Sequence, residues 1–86
     1  MARYELLFRK SVARDFRPIP KQDVAGILRR IERLRDEPRP TGCEKLSGQE
    51  RYRIRQGKYR ILYEVLDRQL LVTVVKIGHR KQVYRR

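Results

Sequence analysis

Residues 51–63 constrain the fold of this chain more than any other stretch. Arg51, Arg53 and Arg55 alternate with Tyr52 and Ile54, and a second apolar alternation begins at Tyr59 after Gly57-Lys58. Successive strand residues point to opposite faces, so a period of two means strand, and a Gly-Lys break between two such runs signals a hairpin. A two-residue loop pairs Gln56 with Tyr59. It then sets Arg55 opposite Arg60, Ile54 opposite Ile61, Tyr52 opposite Tyr63 and Arg51 opposite Glu64. Opposed residues share a face. Tyr52, Ile54, Ile61 and Tyr63 therefore make an apolar face suited to a helix, and Arg51, Arg53, Arg55 and Arg60 make the other. Glu64 can neutralise Arg51, whereas the other three arginines have no evident partner. Like charges set directly opposite weaken a hairpin, and such a face makes sense if something polyanionic docks on it.

The rest of the chain supplies what covers the apolar face. Residues 3–8 read as a first strand and residues 10–16 as a short helix packing Val12, Ala13 and Phe16. Pro18 and Pro20 punctuate the chain, and proline suits a helix start. Over 20–36, Val24, Ile27, Leu28, Ile31 and Leu34 recur at helical spacing, with Asp23 in the first turn where a negative charge complements the helix dipole. Pro38 and Pro40 end this helix, and Glu37 to Ser47 reads as a loop. Strands follow at 51–56, 59–66 and 70–77, the last after a turn at Asp67-Arg68-Gln69 and ended by Gly78. A three-residue turn sets Lys76 opposite Arg60, whereas a two-residue turn sends Lys76 into the core, so the three-residue form is expected. The expected fold is α+β in the order β-α-α-β-β-β. It is an antiparallel C-terminal meander with two N-terminal helices on one sheet face, in a single domain over 1–86.

Charge is distributed unevenly. Residues 1–50 carry 12 Lys/Arg against 8 Asp/Glu, a balance of +4, and residues 51–86 carry 11 against 2, a balance of +9, together the +13 of the whole chain. A plain solvated basic surface is the competing reading, but such surfaces usually intersperse both signs. With 86 residues, one small core is expected. No stretch approaches the ~18 consecutive apolar residues of a membrane span. The N-terminus has no apolar h-region, and the lone Cys43 fits a reducing compartment, so a cytoplasmic protein is expected.

The acids after residue 50 are Glu64 and Asp67, of opposite strand parity, which disfavours a carboxylate-held metal, and no metal or cofactor is expected. Fixed arginines can instead stabilise a pentacovalent phosphate, chemistry open to RNA through its 2′-OH. His79, the single histidine, lies at a strand end beside the cationic face and is the side chain best suited to proton transfer near neutrality; a lone surface histidine is the competing reading. Arg80 can reach a phosphate. Tyr84 can anchor the chain end, stack on a base or exchange a proton.

These pieces together resemble the RelE branch of the RelE/ParE toxins of bacterial toxin–antitoxin systems. The resemblance runs over nearly the whole chain. It is carried by Lys45-Leu46-Ser47-Gly48, Arg51-Tyr52-Arg53-Ile54-Arg55, Gly57-Lys58-Tyr59-Arg60-Ile61-Leu62-Tyr63 and Gly78-His79-Arg80-Lys81-Gln82-Val83-Tyr84-Arg85. It implies a ribosome-dependent mRNA endoribonuclease acting in the ribosomal A site, without a metal, by 2′-OH attack that leaves a cyclic phosphate and a 5′-hydroxyl. By the same resemblance, Arg53, Arg55, Arg60, His79, Arg80 and Tyr84 are the catalytic positions. Lys45, Arg51, Lys58, Lys76, Lys81 and Arg85 are expected, from their charge and position, to contact RNA. The implied partners are a cognate RelB-like antitoxin, the ribosome with its mRNA, and operator DNA only through the antitoxin complex. The family's best-known members carry lysine where Arg53 and Arg55 stand here. Arginine is a poor general base, which moves that duty to His79 or Tyr84. A ParE-like DNA gyrase poison, and an inactive relic that only binds its antitoxin, are the rival readings.

Overall fold

The structure is a computed structural model and describes residues 3–46, 48 and 50–79. Strand β1 (Glu5–Phe8) is followed by helices α1 (Lys10–Phe16) and α2 (Lys21–Arg33) and by strands β2 (Glu44–Lys45), β3 (Arg51–Gln56), β4 (Tyr59–Leu66) and β5 (Leu71–His79). They form one five-stranded sheet in the order β1-β5-β4-β3-β2. β1 runs parallel to β5, and the other neighbours are antiparallel. Parallel neighbours need a crossover, and the two helices lie within it.

The hairpin register is the one the alternation requires: Gln56 faces Tyr59, Arg55 faces Arg60, Ile54 faces Ile61, Tyr52 faces Tyr63 and Arg51 faces Glu64. Gly57 adopts φ +59, as the first central position of a II′ hairpin turn demands. Tyr52, Ile54, Ile61 and Tyr63 are buried with Val72, Val74 and Ile77 of β5 and with Val12, Ile27, Ile31 and Leu34 from the helical side. Burying each such side chain contributes about 1.5–3 kcal/mol before entropy is counted. Both helices thus pack on the Tyr52 face.

Several expectations need correction. The 37–47 stretch is not all loop: Glu44 and Lys45 pair with Arg53 and Tyr52 and add an edge strand. A two-residue strand has too little pattern to be read from sequence. Of the α2 stripe, Ile27 and Ile31 are buried with Leu34 just beyond the helix, Val24 is partly covered, and Leu28 is exposed. Of the α1 set, Val12 is buried and Phe16 half-buried, but Ala13 faces solvent. Gly78 does not end the last strand, which continues to His79.

The largest correction concerns Lys76, which faces Leu62, while Arg60 faces Gly78. The turn holds four residues, because Leu70 takes a left-handed conformation (φ 51) after the Asp67–Gln69 3-10 turn and Leu66 then pairs with Leu71. Continued unchanged, that register would turn Lys76 toward the core. A bulge between the pairs Tyr63–Val74 and Leu62–Lys76 inserts one residue. Val72 and Val74 then point inward before it and Ile77 after it, and Lys76 stays outside. The cost of burying lysine was the right physical constraint, but a bulge meets it rather than the turn length.

β1 pairs only with Leu71–Val74, so the far end of β5 extends past it. Asp15 of α1 takes over there: its carboxylate accepts the Ile77 backbone N–H at 3.0 Å and lies 3.7 Å from the Lys76 ammonium. At the opposite end, Asp67 accepts two hydrogen bonds from Arg39 (2.8 and 3.1 Å) and one from the Tyr4 hydroxyl (2.7 Å). Arg39 also donates to the Tyr52 hydroxyl at 2.9 Å and sits 5.1 Å from that ring's centre. The Arg39 hydrogen bonds, then the one from Tyr4, hold the Asp67 carboxyl below its ordinary pKa. A carboxylate depressed on folding contributes stability above the unfolded carboxylate range, about pH 4, and loses it as pH falls through the folded value. Asp67→Asn is therefore expected to be less stable than the parent near neutrality and to lose less stability on acidification. Urea midpoints measured from neutral to acid pH check this, and parallel curves for the two proteins would refute it.

Candidate nucleic-acid interface

Strand parity places Arg51, Arg53, Arg55 and Arg60 on the sheet face away from the helices, as the hairpin pattern implies. A hollow of about 330 Å³ on this part of the sheet is lined by Arg30, Gly42, Glu44, Arg53, Ile54, Arg55 and Arg60. The arginines differ in setting. Arg55 is exposed, and Arg53 is half-buried. Arg60 is 3 % exposed, the only buried charged residue among those described. A buried guanidinium costs desolvation energy, which sets Arg60 apart from the exposed Arg55.

Arg53 does have a partner, contrary to expectation. Glu44 on β2 faces it and accepts hydrogen bonds from its Nε and Nη2. Hydrogen bonding and charge from Arg53, then the more distant charges of Arg60 and Arg55, hold the Glu44 carboxyl below its ordinary pKa. Glu44 is 61 % exposed. A carboxylate oxygen held by two guanidinium donors and open to water occupies the kind of position a phosphate oxygen could take. Sequence reasoning missed Glu44 and Arg30. Glu44 sits on the strand that could not be read, and Arg30 comes from helix α2, whose spacing carries no link to the hairpin.

Arg51 is neutralised as expected, its Nε 2.9 Å from Glu64, and Arg9 adds a second cation 3.6 Å from the same carboxylate. The remaining basic candidates lie apart from the hollow. Lys45 faces Tyr52, hence the helix side of the sheet edge, and pairs with Glu50 at 3.6 Å. Lys58 is exposed at the hairpin tip, beside a crevice that it lines with Gln22, Arg29, Gln56 and Tyr59. Lys76 is on the arginine side but paired with Asp15.

His79 closes the β4–β5 ladder opposite Tyr59, one rung beyond the Arg60–Gly78 pair. Tyr59 shares its parity with Ile61 and Tyr63, so His79 lies on the helix side of the sheet end and not on the arginine face itself. It is half-buried and borders a cleft of about 320 Å³ lined also by Arg14, Asp15, Tyr59 and Lys76. The proton-transfer candidate and the arginines thus lie on opposite faces at the same end of the sheet. Arg80, Lys81, Tyr84 and Arg85 lie outside the described residues. Among the described residues, no three His, Cys, Asp or Glu side chains gather as a metal site requires, and no helix is long and apolar enough to cross a membrane.

Known proteins share this architecture and this sequence pattern. A family model described as the ParE toxin of type II toxin–antitoxin systems, parDE, matches residues 3–84. Toxin RelG of Mycobacterium tuberculosis is 29% identical over 87 residues, covering 96% of this chain and 98% of that protein. The RelB–RelE antitoxin–toxin complex of Methanococcus jannaschii contains a chain 28% identical, with a TM-score of 0.74, covering 92% of this chain and 95% of that one. A chain of the RelBE2 toxin–antitoxin complex of M. tuberculosis, 24% identical, has the same fold at a TM-score of 0.81, covering 92% of this chain and 93% of that one.

Proposed function

The chain belongs to the ParE toxin family of type II toxin–antitoxin systems, within the RelE/ParE superfamily, and from that premise we propose that it is a ribosome-dependent mRNA endoribonuclease of the RelE type. The observation that carries this reading is the gathering of Arg53, Arg55 and Arg60 in one hollow around the Glu44 carboxylate. In the proposed reaction an mRNA phosphate displaces that carboxylate. The ribose 2′-OH loses its proton and attacks the adjacent phosphorus. The bond to the 5′-oxygen breaks, leaving a cyclic phosphate on one fragment and, once that oxygen is protonated, a 5′-hydroxyl on the other. Arg53 and Arg55 bind the phosphate, and Arg60 holds the charge that builds on its oxygens in the transition state. None of the three is a fit base, because a guanidinium keeps its proton at any working pH. His79 and Tyr84 are the candidates to take and return protons, and Arg80 steadies the leaving oxygen. Lys45, Arg51, Lys58, Lys76, Lys81 and Arg85 contribute longer-range attraction to RNA, weakened where a carboxylate already pairs with them.

The reading also assigns a partner. The RelB–RelE complex of the 28% identical relative supports a RelB-like antitoxin for this chain, and operator DNA is proposed as a partner only through that complex. The family model's ParE name favours one rival, a poison of DNA gyrase. Primer extension on cellular mRNA after induced expression separates the two. Cuts phased with codons in translated messages are expected. Intact messages accompanied by gyrase-linked DNA breaks would establish the rival instead.

A further inference from the structure

We propose that Tyr59 and Asp23 are positioning residues that hold the His79 imidazole at the end of the sheet; this rests on the reading above, in which His79 takes part in RNA cleavage. His79 pairs with Tyr59, the first residue of β4, at the end of the β4–β5 ladder, where strands fray. The two rings meet edge to face, centroids 6.2 Å apart and planes at 79°. This is the arrangement in which the positive edge of one ring meets the negative face of the other.

Tyr59 can serve as a reference surface because it is fixed at both ends. Its backbone lies in the sheet between Gln56 and His79, and its hydroxyl donates to Asp23 Oδ2 at 3.1 Å. Asp23 stands in the first turn of α2 and accepts that bond through its carboxylate. Burial, then the hydrogen bond to Asp23, pushes the Tyr59 phenol above its ordinary pKa, so it stays a donor at working pH. The orientation of His79 is thereby referred to helix α2, which is itself anchored by Ile27 and Ile31 in the core. A positioned base or acid outperforms a mobile one because the reacting atoms must meet within a narrow range of distance and angle.

The test uses the full chain with mRNA on programmed ribosomes, and three substitutions. Tyr59→Phe keeps the ring and removes only the tether, and Asp23→Asn is isosteric and removes the charged acceptor. Both are expected to lower kcat roughly tenfold with KM nearly unchanged, since orientation affects the chemical step more than binding. His79 is the single histidine, so its ring-proton resonances are unambiguous in NMR spectra. They are expected to move in both variants, and further in Tyr59→Leu, which removes the ring current. Unchanged kcat and unmoved His79 resonances in Tyr59→Phe and Asp23→Asn would overturn the proposal. Should Tyr59→Phe not fold, Asp23→Asn decides by itself. His79→Ala separates this inference from its premise. If that variant cleaves like the parent, His79 has no part in the chemistry and the role assigned to Tyr59 and Asp23 falls with it. If it loses cleavage while the two tether variants do not, only the positioning role fails.

Discussion

Replacing Arg60 with glutamine is expected to reduce mRNA cleavage by roughly a hundredfold or more, the usual effect of removing one fixed donor to transition-state charge. Arg60 is 3 % exposed and lines the same hollow as Arg53 and Arg55. Its cross-strand neighbours are Arg55 and Gly78, which places its guanidinium at the end of the hairpin nearest His79. Arg60→Lys is expected to restore little, because an ammonium is a point charge without the planar fork that grips two phosphate oxygens. Arg55→Gln should cost less than Arg60→Gln, since Arg55 is exposed and its charge is screened by solvent. Single-turnover cleavage on programmed ribosomes, with circular dichroism to confirm folding, measures all three. An Arg60→Gln variant that folds, arrests growth and cleaves like the parent would refute the role given to Arg60.

Tyr63→Ala is expected to destabilise the fold by about 3–5 kcal/mol, the range for deleting a large buried ring. That is a large share of the roughly 5–15 kcal/mol that holds a typical domain together. Tyr63 is fully buried on β4, and its ring stacks on that of Tyr52 with centroids 5.8 Å apart. Its hydroxyl donates to the Pro38 carbonyl at 2.7 Å, tying the stretch after α2 to the centre of the sheet. Burial pushes this phenol well above its ordinary pKa and keeps it a donor. Tyr63→Phe should therefore cost only about 1–2 kcal/mol, the price of one buried acceptor left without its donor. Urea denaturation resolves the two variants, and equal losses would show that the hydroxyl, not the ring, carries the stabilisation.

The legible and illegible parts of this fold divide along one physical line. The β3–β4 hairpin, its register and its two faces follow from period-two alternation around Gly57, since local backbone geometry links neighbours in sequence to neighbours in space. Helix α1 and the body of α2 follow from spacing in the same way. The failures are at places where distant residues decide. β2 exists because Arg53 and Tyr52 offer it an edge. Lys76 avoids the core through a bulge that the β5 sequence does not announce. Leu28 belongs to the helical apolar pattern yet faces outward, because only part of the stripe meets the sheet.

The site divides in the same way. The sequence by itself determined that four arginines of one hairpin share a face, because strand parity admits no other outcome. Only the tertiary structure decided that Arg60 is buried, that Arg53 is already paired with Glu44, that Arg30 joins the hollow from a helix, and that His79 lies across the sheet end against Tyr59. Parity is a property of a single strand, but burial and partners depend on which other elements the chain brings alongside, and a helix–sheet contact such as Asp23 with Tyr59, 36 residues apart, leaves no periodic trace in sequence.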